Sequence, residues 1–144
     1  MSALLTPELV QKADCFLDGD QQHQTAENLG KRLFDTFGAD KEGRISTQVR
    51  NLQQMAVSAT RFADIEDFVK NQMGRKAGAY REWRRVGDEI LRQLGELRKA
   101  ADGFASDEGQ RLLLRLHLAR GWVRAVVGAY LYAKAQKEME QSHD

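Results

Sequence analysis

A chain of 144 residues with 42% apolar and 30% charged side chains excludes a disordered polymer and fits one domain with a real core, since a domain of ~150 residues buries roughly 70% of its unfolded surface. A single proline, few β-branched runs and abundant Ala, Leu, Arg, Gln and Glu favour helix throughout, while the lone cysteine, Cys15, excludes an internal disulfide and a cysteine zinc site. The formal net charge of +1 conceals an asymmetry: residues 1–43 carry four basic and eight acidic side chains and residues 44–101 carry twelve and seven, which does not prove nucleic-acid binding but says where a polyanion would go.

The opening "MSALLTPELVQ" has neither a basic start nor a long apolar core, and no stretch reaches the ~18 apolar residues of a membrane span. A cytoplasmic protein with no membrane partner is expected. Thr6-Pro7-Glu8 reads as a helix start, with Thr6 as the cap and proline in the first turn. This short helix is expected to end at the polar stretch "DGDQQHQ", and a second to begin near Thr25, bury Leu29, Leu33, Phe34 and Phe37, and stop at Gly38.

Ser46 caps the third helix, within "GRISTQVRNLQQMAVSATRF", residues 43–62. Val49, Leu52, Met55, Ala56, Ala59 and Phe62 fall on one side at ~100° per residue. Arg50, Gln54 and Arg61 lie within ~40° of one another on the other side. No acid occurs between Glu42 and Asp64. Most solvated helix faces mix Glu with Lys, so a face of arginines, amides and hydroxyls asks for a reason.

Asp64 is expected to cap a fourth helix, "IEDFVKNQM", burying Ile65, Phe68 and Val69. The connection "GRKAGAY" is basic and flanked by glycine. A fifth helix, "REWRRVGDEILRQLGELRKAA", sets Trp83, Val86, Ile90, Leu94 and Leu97 on one stripe and ends at Gly103. Ser106 starts the longest helix, which is apolar over much of its circumference and therefore central. Its Arg111 and Arg115 share one side and Arg120 and Arg124 another, so its exposed side switches along its length. The fold expected is all-α, a single-domain bundle of five to six helices over residues 1–144. Its parts are an acidic segment 1–43, a basic segment 44–101 and a long C-terminal helix over 104–140.

Enzyme signatures fail in turn. The chain has no phosphate-cradling glycine loop, no GxSxG and no HExxH. Its histidines are His23, His117 and His143. Glu140 and His143 have a carboxylate-x-x-His spacing, but a di-iron bundle needs two copies and further carboxylates. No catalytic residue, metal or cofactor is expected. What remains is a binding surface of Arg50, Gln54, Arg61, Arg75, Lys76, Arg81, Arg84 and Arg85. Arginines and amides suit phosphate and ribose contacts that position a strand without reading its sequence. Tyr80 or Trp83 could offer a stacking plane, although their spacing with Val86 favours core packing. The competing reading makes these arginines a solvated face paired with Asp88, Glu89 or Glu66.

"ISTQVRNLQQM", together with a C-terminal helix ending "VRAVVGAYLYAKA", resembles the small α-helical subunit of type III CRISPR–Cas effector complexes, of the Csm kind. The short "DFVKNQMGRK" helix is more loosely similar to the Cmr small subunit. The resemblance implies a non-catalytic subunit that lines a groove for guide RNA paired with target RNA. Its implied partners are the effector backbone subunits and neighbouring copies of itself, stacked head to tail. On this analogy Ser46 and Thr47 hold the cap of the family's helix and Arg50 its arginine. The acidic first forty residues and the absence of an aromatic cluster from "YLYAKAQKEMEQ" depart from the family. Stacking is expected to bring Asp35, Asp40 and Glu42 of one copy toward Arg75, Lys76 and Arg84 of the next. A rival reading is a helical adaptor that binds only protein, with Arg111, Arg115, Arg120 and Arg124 in interface salt bridges.

Overall fold

In a computed structural model that describes residues 4–142, the chain forms six helices: α1 (Pro7–Asp18), α2 (Asp20–Phe37), α3 (Thr47–Ser58), α4 (Phe62–Gly74), α5 (Tyr80–Phe104) and α6 (Glu108–Ser142). Among the described residues the only extended pairing is an isolated bridge between Ala39 and Ile45, which pinches the α2–α3 loop. The all-α bundle and its long last helix are as the periodicity indicates. Among the described residues no helix is long and apolar enough to cross a membrane.

The central helix is α6, which touches each of the other five. Leu114, Leu118, Trp122, Val126 and Tyr130 are buried along it, as are Leu116, Ala119, Val123 and Val127. These positions surround the helix, so α6 has no single apolar face, and its neighbours approach from several directions. Burying each Leu- or Val-sized side chain contributes about 1.5–3 kcal/mol. Both α1 and α2 run alongside α6 in its own direction: Gln110 donates to the Leu4 carbonyl, His117 meets Asp14, and Gly30 lies against Val126 and Ala129. The opposite direction is taken by α5, with Asp102 beside Arg115, and by α3, with Ser46 beside Tyr130 and Ala56 beside Arg120. The outer helix α4 lies antiparallel against α5, where Glu66 bonds Arg98 and Met73 fills the space left by Gly87.

Trp83, fully buried, knits the end of the bundle where α5 begins. Phe37 and Phe68 pack on its ring at centroid distances of 5.2 and 5.6 Å, and its indole N–H donates to Gln48 Oε1 at 2.8 Å. Phe34, Phe37, Met55 and Phe68 are half-buried rather than fully enclosed.

Several boundaries differ from expectation. The stretch "DQQHQ" is helical, because Gly19 turns the chain in an extended conformation and α2 starts at once with Asp20. Its first turn buries no apolar residue and is supported by a His23–Glu27 contact at 2.9 Å. Asp64 is not the cap of α4. It stands at the third helical position, accepts the Arg61 N–H and pairs with the Arg61 guanidinium. The backbone of α5 runs through Gly103 to Phe104. Asp107, not Ser106, accepts the Gln110 N–H at the start of α6. His143 lies outside the described residues.

Candidate nucleic-acid interface

The acid-free stretch proves to be two helices. Ser46 caps α3 by accepting the Gln48 N–H at 3.2 Å, and the helix ends at Ser58 with Ala59 extended behind it. Arg50 and Gln54 are exposed on the outer side of α3. Arg61 instead caps α4 after the break and does not share their helical face. A side-chain hydrogen bond from Arg61 holds the Asp64 carboxyl below the usual carboxylate range. Arg61 is thus committed to starting α4.

The C-terminus of α3 carries no base of its own. Arg120 from α6 supplies one: its guanidinium donates to the Ala56 and Ala59 carbonyls at 3.1 and 2.6 Å. A cation here satisfies orphan carbonyls and complements the helix dipole.

Most of the basic candidates gather where α4 turns into α5. Arg75 and Lys76 are exposed on the turn, and Arg81, Arg84 and Arg85 are exposed on the first two turns of α5. Arg84 donates from Nε to the Met73 carbonyl at 2.8 Å, and its guanidinium carbon sits 4.8 Å from the centre of the Tyr80 ring. Arg81 donates from Nε to the Tyr80 hydroxyl at 3.1 Å, with its guanidinium 5.6 Å from the same ring. Tyr80 therefore holds arginines, and Trp83, with no exposed surface, offers no stacking plane. Ala79 gives no side-chain acceptor to the first N–H groups of α5, which adds positive potential at this corner.

Two of the acids near this surface are paired with other bases, whereas Glu82, on the first turn of α5, forms no ion pair among the described residues. Glu89 pairs with Arg92, whose side-chain bond keeps its carboxyl below the ordinary range, and Glu66 pairs with Arg98. Asp88 lines a shallow hollow with Lys70 and Arg84 and forms no ion pair among the described residues. Of the seven basic candidates only Arg61 forms an ion pair among the described residues. Arg50 makes one long contact, 3.5 Å to the Ile45 carbonyl.

Two cations escaped the sequence reading of this surface. Arg32 of α2 donates to the Arg85 carbonyl at 2.8 Å, which adds it to the corner. Arg124 of α6 is exposed and lines a groove with Gln53 and Val57 of α3. Neither contact can be read from helical spacing, because each joins residues far apart in the chain.

The acidic loop is not an opposite pole. Asp40 accepts the Glu42 and Arg44 N–H groups and the Arg44 guanidinium, and Glu42 also pairs with Arg44. The backbone bond from Arg44 lowers the Asp40 pKa most. The loop leaves α2 at Phe37, which packs on Trp83, so it sits at the same end of the bundle as the basic corner.

Among the described residues, no group of three or more His, Cys, Asp or Glu side chains could hold a metal ion. No family model, curated protein or solved structure matches the chain.

Proposed function

We propose that the protein is a small, non-catalytic helical subunit that holds the sugar–phosphate backbone of an RNA duplex without reading its sequence. The resemblance carried by residues 45–55 narrows this to the small subunit of a type III CRISPR effector ribonucleoprotein. In that reading the duplex is guide RNA paired with target RNA, and the protein partners are backbone subunits and further copies of the chain.

The observation that supports RNA contact best is the unpaired state of the corner. Arg75, Lys76, Arg81, Arg84 and Arg85 are exposed, and none forms an ion pair among the described residues, although Glu89 and Glu66 lie on the helices that carry or adjoin them. Unpaired arginines concentrated at one end raise the local concentration of a polyanion and suit phosphate oxygens. Three of the four arginines on which the adaptor reading rests are engaged within the chain. Arg111 donates to the Ala105 carbonyl, Arg115 pairs with Asp102 and Arg120 caps α3, which leaves only Arg124 free of a described partner.

Native purification of the tagged chain from its own cells tests the proposal. Repeat-derived guide RNA and filament-forming backbone subunits are expected in the eluate. Stoichiometric protein partners with no RNA would replace this reading by the adaptor.

A further inference from the structure

We infer that Tyr80 is the positioning residue of a phosphate clamp, in which its ring fixes the Arg81 and Arg84 guanidinia so that their free N–H groups meet RNA phosphates. The inference rests on the proposed RNA contact and assigns a mechanism to one corner of it. A surface arginine ordinarily loses rotamer freedom when it grips a phosphate, and that entropy cost weakens binding. Here much of the cost is already taken in the free protein. Arg84 is held at two points, by its Nε–H on the Met73 carbonyl and by its position over the Tyr80 ring. Arg81 is held by its Nε–H on the Tyr80 hydroxyl and by the same ring.

In both side chains the Nε–H is engaged, while among the described residues no hydrogen bond or ion pair uses the terminal Nη groups. The outer N–H groups of each guanidinium therefore remain available to a phosphate. Arg75 and Lys76 on the adjoining turn have no side-chain partner among the described residues and supply looser charges around this fixed pair. The backbone supports the arrangement: Gly78 has φ +76, a conformation that favours glycine and turns the chain into α5 just before Tyr80. Tyr80 is itself half-buried, so the ring is a stable platform rather than a free stacking partner for a base.

This assignment separates two contributions to RNA affinity. The number of charges meeting phosphates sets the salt dependence of binding. The rigidity of those charges sets affinity at a given salt. Removing the ring while keeping every arginine should change only the second.

The experiment measures binding of the full chain to a fluorescently labelled RNA duplex of arbitrary sequence across a salt series. Tyr80→Leu should weaken binding about two- to fivefold, the size of one exposed cation–π contact, with the salt slope unchanged. Tyr80→Phe retains the ring and should restore most of the affinity. Arg84→Ala should weaken binding and make the slope shallower by about one unit. Wild-type binding by Tyr80→Leu would overturn the clamp, as would an equal weakening in Tyr80→Phe, because the ring would then fix neither guanidinium. If Arg84→Ala changes neither affinity nor slope, the RNA contact at this corner falls as well. Circular dichroism and melting of each variant verify that the fold is retained.

Discussion

Tyr130 and Ser46, 84 positions apart, are joined by a hydrogen bond in which the buried backbone N–H of Ser46 donates to the Tyr130 hydroxyl at 2.9 Å. The same hydroxyl donates to the Gly38 carbonyl. One side chain of the central helix thus closes both ends of the α2–α3 loop and sets where α3 is capped. Tyr130→Phe leaves a buried donor and acceptor unpaired, a cost of about 1–3 kcal/mol. Urea denaturation should report a destabilisation of that size. Hydrogen exchange should quicken in residues 38–46 while Trp83 and the core of α5 stay protected.

Two glycine-to-alanine changes should have opposite signs. A Cβ on Gly30 would stand 2.4 Å from the Ala129 Cβ and 2.6 Å from the Val126 carbonyl oxygen, so α2 and α6 would have to part. Overpacking of this kind costs typically 1–3 kcal/mol, more than the roughly 1 kcal/mol of helix propensity gained. Gly95, inside α5, faces open space, and Gly95→Ala should stabilise by about 0.5–1 kcal/mol. Paired urea melts against the parent chain check both signs.

Arg120→Ala should loosen the end of α3. Its guanidinium serves two carbonyls and the local helix dipole, and hydrogen bonds to a charged group are worth about 1.5–3 kcal/mol. Stability should fall by an amount of that order. The salt slope of RNA binding should match wild type. A shallower slope would make Arg120 a phosphate contact and contradict its role as a cap.

The Asp102–Arg115 pair predicts a pH dependence with a definite sign. The two-bond contact, at 2.9 and 2.8 Å, holds the Asp102 carboxyl below its ordinary value of 3.8. A carboxyl lowered in the folded state stabilises above its unfolded value, and the contribution disappears as pH falls through the folded one. Asp102→Asn should therefore cost stability at neutral pH, about 0.2–1 kcal/mol for a pair this exposed. The difference from wild type should close as the buffer is taken below pH 3.8. A gap that persisted through strong acid would assign the effect to packing instead.

Much of the fold was legible because apolar spacing and caps are local. Thr6, Pro7 and Ser46 act as their residue types dictate, and the Trp83–Leu97 stripe is buried as its spacing requires. The start of α2 was not legible, since "DQQHQ" presents no buried apolar residue to set a helical period. The break at Ala59 was hidden for a related reason. Val49 through Phe62 keep one helical period across it, while the extended backbone at Ala59 and Arg61 and the Arg61–Asp64 contact mark a new start. At the candidate site the sequence identified exposed arginines but not their commitments. The bonds of Arg84 to Met73 and of Arg32 to Arg85 depend on how α2, α4 and α5 meet. Arg120 lies some sixty positions from the carbonyls it caps.

The most direct test of RNA binding at the basic corner is the salt dependence of duplex binding after Arg75, Lys76 and Arg85 are changed together to Ala. None of the three side chains has a hydrogen bond or ion pair among the described residues, and all are exposed, so the fold should melt as the parent does. Removing one phosphate-binding charge should lower the slope of log K against log salt by about one unit, so the triple variant should be shallower by roughly two to three units. Affinity should fall equally for unrelated RNA sequences. Arg61→Ala, whose guanidinium belongs to Asp64, should keep the parental slope. An intact triple variant that binds with the parental affinity and slope would contradict the account.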